Sequence, residues 1–303
     1  MSALKNKIDF ALVFSVKNAN PNGDPLDGNR PRMDYRGIGE VSDVCLKRKI
    51  RNRLLDMGEA IFVQSDDRRI DEYRSLKDRA DGCPALAECM KKIKQKQATS
   101  DDYARIACET WYDVRAFGQV FAFKEKQKSK GSDEDEGSDA VSIGIRGPVT
   151  IQTAFSYDTI NVTSTQITKS VNLETGADPD KKGSDTMGMK HRVDFGLYAT
   201  FGSINVKQAE KTGFTEEDAE KLKKVLLTLF VNDETSARPS GSMEVVKLVW
   251  WKHNCEIGQY PPAKVHRLLK VNRKEGVDAP TSVDDYDIEV EKLPDLDYEV
   301  YEG

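Results

Sequence analysis

The stretch Ile8 to Val16, IDFALVFSV, limits the fold more than any other part of this chain. Ile8, Phe10, Leu12, Phe14 and Val16 alternate with the period of a strand, and Ala11 and Val13 make the opposite face apolar as well. A strand of this kind belongs at the centre of a sheet with both faces covered. It also argues against a secretory signal, because Asp9 interrupts the apolar run and no small-residue cleavage site follows. No apolar run is long enough to cross a bilayer. Five cysteines, an odd number scattered through 303 residues, make no disulfide framework. A cytoplasmic protein with no membrane partner is expected.

The strand runs into NANPNGDPLDGNRPRMDYRG, Asn18 to Gly37. Asn-Pro, Asn-Gly, Asp-Pro and Asp-Gly are turn signals, since they fix φ or tolerate a positive one. Connections are ordinarily about 4–6 residues long, and much longer ones are usually functional or disordered. Arg30, Arg32 and Arg36 are held among these turns with Asn18, Asn20, Asn22 and Gly23.

Helical periodicity follows in VSDVCLKRKIRNRLLDMG, closed by Gly58. Leu46, Ile50, Leu54 and Met57 form its apolar stripe, flanked by Lys47 and Arg51 on one side and Lys49 and Arg53 on the other. The two basic pairs suit either a solvated surface or a ridge facing phosphates. Residues from about Ala60 to Thr110 are charged and helix-favouring. Apolar sequence returns in WYDVRAFGQVFAF, and the low-complexity run at about 124–140 then predicts a mobile loop. VSIGIRGPVTIQTAFSYD is strand-like, although Gly144 and Gly147 weaken a strand unless another backbone must come close. A polar excursion ends at HRVDFGLYATFGSINV, a further strand. TEEDAEKLKKVLLTLFV is a helix with a capping box of Thr215 and Asp218, and Ala219, Leu222, Leu226 and Leu229 line one face. SARPSG is a loop and MEVVKLVWW a strand. Without the excursions the order is strand, helix, strand, strand, helix, strand, the α+β split βαβ or ferredoxin-like pattern also used by RNA-recognition modules.

The formal charge of −5 conceals an uneven distribution. From Asp278 onward the balance is −9, and GSDEDEGSD at 131–139 adds −5, which leaves +9 on the rest. The expectation is a basic body with two acidic appendages, and a basic body suits an anionic partner.

Several chemistries have no support. The chain has neither a Walker A loop nor a dinucleotide glycine fingerprint. Cysteine and histidine spacings match no zinc site, and His191, His253 and His266 are too scattered for a triad. Asp24, Asp27 and Asp34 cluster in the first loop, but DPLDGN lacks calcium-loop spacing and turn formation explains them as well. No metal or other cofactor is expected.

Taken together, NANPNGDP, KRKIRNRL, DVRAFG, GIRGPVTIQTAFS and SARPSGSMEVVKLVWW resemble the Cascade backbone subunit of type I CRISPR systems. This is the seventh Cas family of the RAMP superfamily, and the likeness is to its type I-C branch. It covers nearly the whole length; NPNGDP after a first strand is its most specific element, and 131–139 and the extreme C-terminus match nothing in it. The resemblance implies an RRM-like palm with a helical fingers insertion and a thumb. It assigns 1–58 to the palm, 59–110 to the fingers, 111–158 to a return to the palm, 159–190 to the thumb and 191–262 to the second palm segment. Residues 263–303 form a basic stretch and an acidic tail.

The implied activity is non-catalytic. Copies stack head to tail along CRISPR RNA, present the guide for pairing with target DNA, and meet other Cascade subunits. On this resemblance the first loop lies beside the RNA channel and aims Asn18, Asn20, Asn22, Gly23, Arg30, Arg32 and Arg36 at phosphates, which positions RNA without reading bases. Packing against a neighbouring subunit is the alternative for this loop. Lys47, Lys49, Arg51 and Arg53 join the RNA path, as does Arg146 between glycines that let an RNA backbone pass. Ser236, Arg238, Ser240 and Gly241 form an anion-binding loop. Met187 and Met189, beside Lys190, His191 and Arg192, are either an apolar wedge between bases or ordinary core. Two rival functions remain: a type III-like subunit that cleaves RNA with Asp24, Asp27 or Asp34, and an adaptor that binds an acidic protein.

Overall fold

The computed structural model of the chain describes residues 2–123, 141–168 and 187–303. Strand β1 (Ile8–Ala19) leads through two short bridged pieces, β2 (Gly23–Asp24) and β3 (Arg30–Pro31), to β4 (Ile38–Val41) and helix α1 (Asp43–Asp56). Three helices follow, α2 (Leu76–Asp81), α3 (Pro84–Lys94) and α4 (Ser100–Thr110). A fourth, α5 (Tyr112–Phe117), opens the hairpin of β5 (Gly118–Phe123) and β6 (Val141–Arg146). The chain continues through β7 (Val149–Ile151), β8 (Ala154–Thr159), β9 (Val162–Thr168) and the long β10 (Met187–Ile204). Helices α6 (Val206–Thr212) and α7 (Glu216–Leu227) precede β11 (Met243–Lys252). Last come α8 (Pro262–His266), β12 (Leu269–Arg273), β13 (Tyr286–Val290) and β14 (Asp297–Glu302).

The main sheet runs β14-β11-β1-β10-β8-β4, and β7 and β9 also pair with β10. Its middle, with β1 between β11 and β10 and with α1 and α7 as connecting helices, is the expected ferredoxin-like palm. β1 is central and buried on both faces. Phe10, Leu12 and Phe14 pack against Leu46, Ile50 and Leu54 of α1 and Leu222 and Leu226 of α7. Ala11 and Val13 join Trp251, Leu197 and Val265 in a second core on the opposite face. The capping box of Thr215 and Asp218 forms as expected and starts α7.

The helical insertion has a core of its own, around Phe62, Leu86, Tyr103, Ala107 and Trp111. Phe121 and Ile143 belong to that core. The β5–β6 hairpin therefore extends the insertion, whereas the sequence reading placed 111–158 wholly in the palm. Gly147 shows why the chain turns there: a Cβ would strike the backbone of Ala116, Phe117 and Gly118, so the backbone it admits is the protein's own. Gly144 faces open space.

The C-terminal segment corrects the expectation of an acidic tail. β12 and β13 form a hairpin which, with α8, covers the second face of the sheet through Tyr286, Leu269 and Val265. β14 pairs with β11 along Lys247 to Lys252. Its carboxylates meet cations of the same chain: Lys223 lies 2.7 Å from Glu299 and Lys247 2.9 Å from Glu302. Removing that segment from the charge count thus overstated the positive charge of the body. The acidic segment 131–139 and the predicted mobile loop at 124–140 lie outside the described residues, as does 169–186 of the predicted thumb. No described helix is long and apolar enough to cross a membrane.

Candidate nucleic-acid interface

The first loop is shaped by its own amides and carboxylates. Asn18 adopts a left-handed φ of 54°, which asparagine tolerates, and interrupts the pairing of β1 with β10 one residue before the strand ends. Asn20 is buried; its backbone N–H donates to Ala237 O (2.9 Å) and its side-chain amide to Asn29 O (2.6 Å). Asn22 Oδ1 accepts from both the backbone N–H and the hydroxyl of Ser42, each at 2.9 Å, which fixes the loop to the N-cap of α1. Gly23 leaves the space that the Asn29 side chain fills. These four residues determine the shape of the loop, on which Arg36 is exposed and Arg30 and Arg32 are half-buried.

Each first-loop aspartate is separately engaged. Asp24 accepts from Leu26 N (3.0 Å) and Arg32 Nη2 (3.3 Å). Asp27 lies 3.8 Å from Arg30. Asp34 accepts from Ile38 N (3.0 Å) and Arg36 Nε (2.9 Å). Partial desolvation pushes the Asp34 carboxyl up, but these donors outweigh it and hold the group below the usual carboxylate range. Among the described residues no three His, Cys, Asp or Glu side chains are grouped to hold a metal ion.

Two further elements meet this loop. The 235–241 turn is closed by reciprocal backbone bonds between Thr235 and Arg238, at 2.9 and 3.0 Å. Arg238 Nε donates to Asp233 at 3.0 Å, and Ser236, Ser240 and Gly241 are exposed around it. The second element is the arm made by β9 and β10. Arg30 Nη1 donates to Ser164 Oγ at 3.1 Å, and the same hydroxyl shares a 2.8 Å hydrogen bond with His191 Nδ1. The register places Met187, Met189 and His191 on one face of the arm, opposite Thr168, Gln166 and Ser164, and Lys190 and Arg192 on the other. Met187 and Met189 are 59% and 54% exposed and join no core among the described residues. Replacing both with alanine is expected to change folding stability by less than about 0.5 kcal/mol, as read by chemical denaturation.

The basic helix is organised differently from the sequence reading. Lys49 shares the buried face with Leu46 and Ile50; its side chain is 3% exposed and ion-paired with Asp233. Burial pulls the Lys49 ammonium below its ordinary value, and Asp233 opposes that pull. Arg51 is also turned inward, donating to Asp113 Oδ2 at 2.8 Å. Lys47 is bound to Asp43 (2.9 Å), and Arg53 donates to Thr228 Oγ1 (2.9 Å). Lys49 and Arg51 are therefore interior ion-pair partners, and this helix forms no free basic ridge. Arg146 also lies elsewhere, at the opposite end of the sheet beside Gly202 and Asn205. The sequence reading missed Asp233, which holds Lys49 and Arg238 together, and Asp113. Both are single carboxylates without local signal, and the helix cations that they hold, Lys49 and Arg51, are distant in sequence.

The resulting surface unites a rigid loop carrying Arg30, Arg32 and Arg36, a second turn carrying Arg238, and an arm with exposed methionines and cations. Such geometry suits contacts to a phosphate backbone with an apolar edge beside it. A profile for "CRISPR-associated protein Cas7" matches residues 6–291. A protein of Haloferax volcanii described as "CRISPR-associated protein Cas7" is 26% identical, over 95% of this chain and 82% of that protein. Among solved structures, a chain of a "CRISPR RNA-guided surveillance complex, pre-nicking" aligns at 17% identity and a TM-score of 0.45, covering 84% of this chain and 81% of that one. A chain of another "CRISPR RNA-guided surveillance complex" aligns at 14% identity and a TM-score of 0.41, covering 81% and 68%. Since the profile spans most of its length, the chain belongs to the Cas7 family of CRISPR-associated proteins.

Proposed function

We infer that this protein is a non-catalytic, RNA-binding backbone subunit of a type I-C-like surveillance complex. Its copies stack head to tail on CRISPR RNA in the cytoplasm, meet other Cascade subunits and present the guide to target DNA. The observation that carries this reading is the convergence of the first loop, the 235–241 turn and the β9–β10 arm, joined through Asn20–Ala237 and Arg30–Ser164. Arg30, Arg32, Arg36 and Arg238 lie on that surface, each held by one aspartate that a phosphate can replace. Met187 and Met189 are the residues suited to part neighbouring bases. The basic reading test is purification of the protein from cells expressing a CRISPR array: RNA of discrete length should accompany it.

The aspartates support absence of cutting, since Asp24, Asp27 and Asp34 are committed to turns and arginines. With magnesium or manganese, the wild-type protein should leave a complementary RNA intact. Cleavage lost on Asp24→Ala, Asp27→Ala or Asp34→Ala would make the type III-like reading the correct one. In an assembled complex, alanine at both Met187 and Met189 should preserve RNA affinity while erasing a periodic pattern of hyper-reactive guide nucleotides in chemical probing. A surviving pattern would remove the methionines from base contact.

A further inference from the structure

The geometry points to a second phosphate-binding groove at the far end of the sheet, built around Arg146 and Lys211, that takes the backbone of a single nucleic-acid strand. This inference rests on the RNA-binding reading above but concerns another place on the molecule. β1 has its first loop at one end, while this groove adjoins Lys7 at the other, roughly 35 Å away for a strand of that length.

Two adjoining cavities make the groove, of about 640 and 320 Å³, and Arg146 and Gln208 line both. The smaller one is walled by Lys7, Gln152, Ser203 and His266 as well, and no carboxylate lines it. Lys7 is already balanced, with its ammonium 2.5 Å from the buried Asp9, so its charge is not free for a ligand. The larger cavity adds Arg105, Lys211 and one carboxylate, Asp101. Arg105 is occupied by Asp102 and Glu109. Among the described residues, neither Arg146 nor Lys211 has an ion-pair partner, and the side chains of Arg146, Gln152 and Gln208 have no hydrogen-bond partner.

A guanidinium, an ammonium and two amides are thus left as donors along one continuous depression. Arginine presents a planar fork of donors that matches phosphate oxygens, and amide N–H groups complete such a contact. No phenyl, phenol or indole ring lines either cavity, and the one imidazole, His266, is already stacked on Phe201, which leaves no free aromatic platform for a base. The groove therefore suits the sugar–phosphate chain. The phosphodiester chemistry is shared by the guide RNA and by a DNA strand, and the experiment separates them.

The full-length protein would be titrated with a 20-nucleotide single-stranded RNA and with DNA of the same sequence, at several salt concentrations. Arg146→Gln with Lys211→Gln should weaken binding about tenfold near 100 mM salt and flatten the log–log salt slope by about 1.4, for two single-strand phosphate contacts. Arg146→Lys should keep most of that slope. Thermal stability should not change, because neither side chain holds a partner. Weakening of RNA alone identifies a guide contact, weakening of DNA alone a DNA-strand contact, and weakening of both a general backbone contact. Wild-type RNA binding that the double variant leaves within twofold, for RNA and DNA alike, would overturn the groove and leave the first-loop reading intact. Wild-type protein that binds neither strand would remove both.

Discussion

Replacing Asp113 with alanine should destabilise the protein by about 3–5 kcal/mol, the cost of stranding a buried charge by removing its partner. Asp113 is 1% exposed and accepts from Phe62 N at 2.7 Å, Val63 N at 3.1 Å and Arg51 Nε at 2.8 Å. Arg51 stands on the palm helix α1, whereas Phe62 belongs to the core of the insertion. One carboxylate therefore joins the two cores. Alanine leaves two amide N–H groups and a guanidinium without their acceptor in a region too enclosed for water to replace it freely. Asp113→Asn keeps one acceptor oxygen and should cost less. Denaturant unfolding of both variants measures the difference, and a loss under about 1 kcal/mol for alanine would show that the two cores are held by apolar packing instead.

That junction illustrates which features can be read from one sequence. β1 was legible because its period lies within a few residues, and α7 because Thr215 and Asp218 are three apart and hydrogen-bond reciprocally. The palm followed from such local signals in their order. Lys49 was not legible: it occupies a helical position between basic neighbours, and only Asp233, distant in the chain, explains its burial. The C-terminal strands were hidden for another reason. Tyr286, Ile288 and Val290 alternate as a strand should, but acidic residues fill the intervening positions and dominate the composition. Outward charges on an edge strand are normal, so net charge misreported a folded segment as a tail. Within the candidate site, residue types were legible and spatial grouping was not. Arg30 and His191 meet through Ser164, whereas Arg146, which looked equivalent, belongs to the other end of the sheet.

The grouping of Arg30, Arg32 and Arg238 gives the largest expected effect on binding. Glutamine at all three should reduce affinity for a single-stranded RNA about a hundredfold near 100 mM salt and flatten the salt slope by about 2, for three phosphate contacts on a single strand. Each arginine already has one aspartate partner, Asp27 for Arg30, Asp24 for Arg32 and Asp233 for Arg238. A phosphate must compete with that carboxylate, so the gain from each contact is smaller than from a free cation, and removal of one arginine should be modest. The three act through a common backbone, and contacts that do not share a partner should combine nearly additively in free energy. Folding is the necessary control, because Arg30 and Arg238 also tie the loop to the arm and to Asp233. Lysine at the same positions keeps the charge but loses the planar fork, and should restore most of the salt slope with only part of the affinity. Binding that all three glutamines leave unchanged, in a protein that melts like wild type, would place the RNA on another face of the molecule.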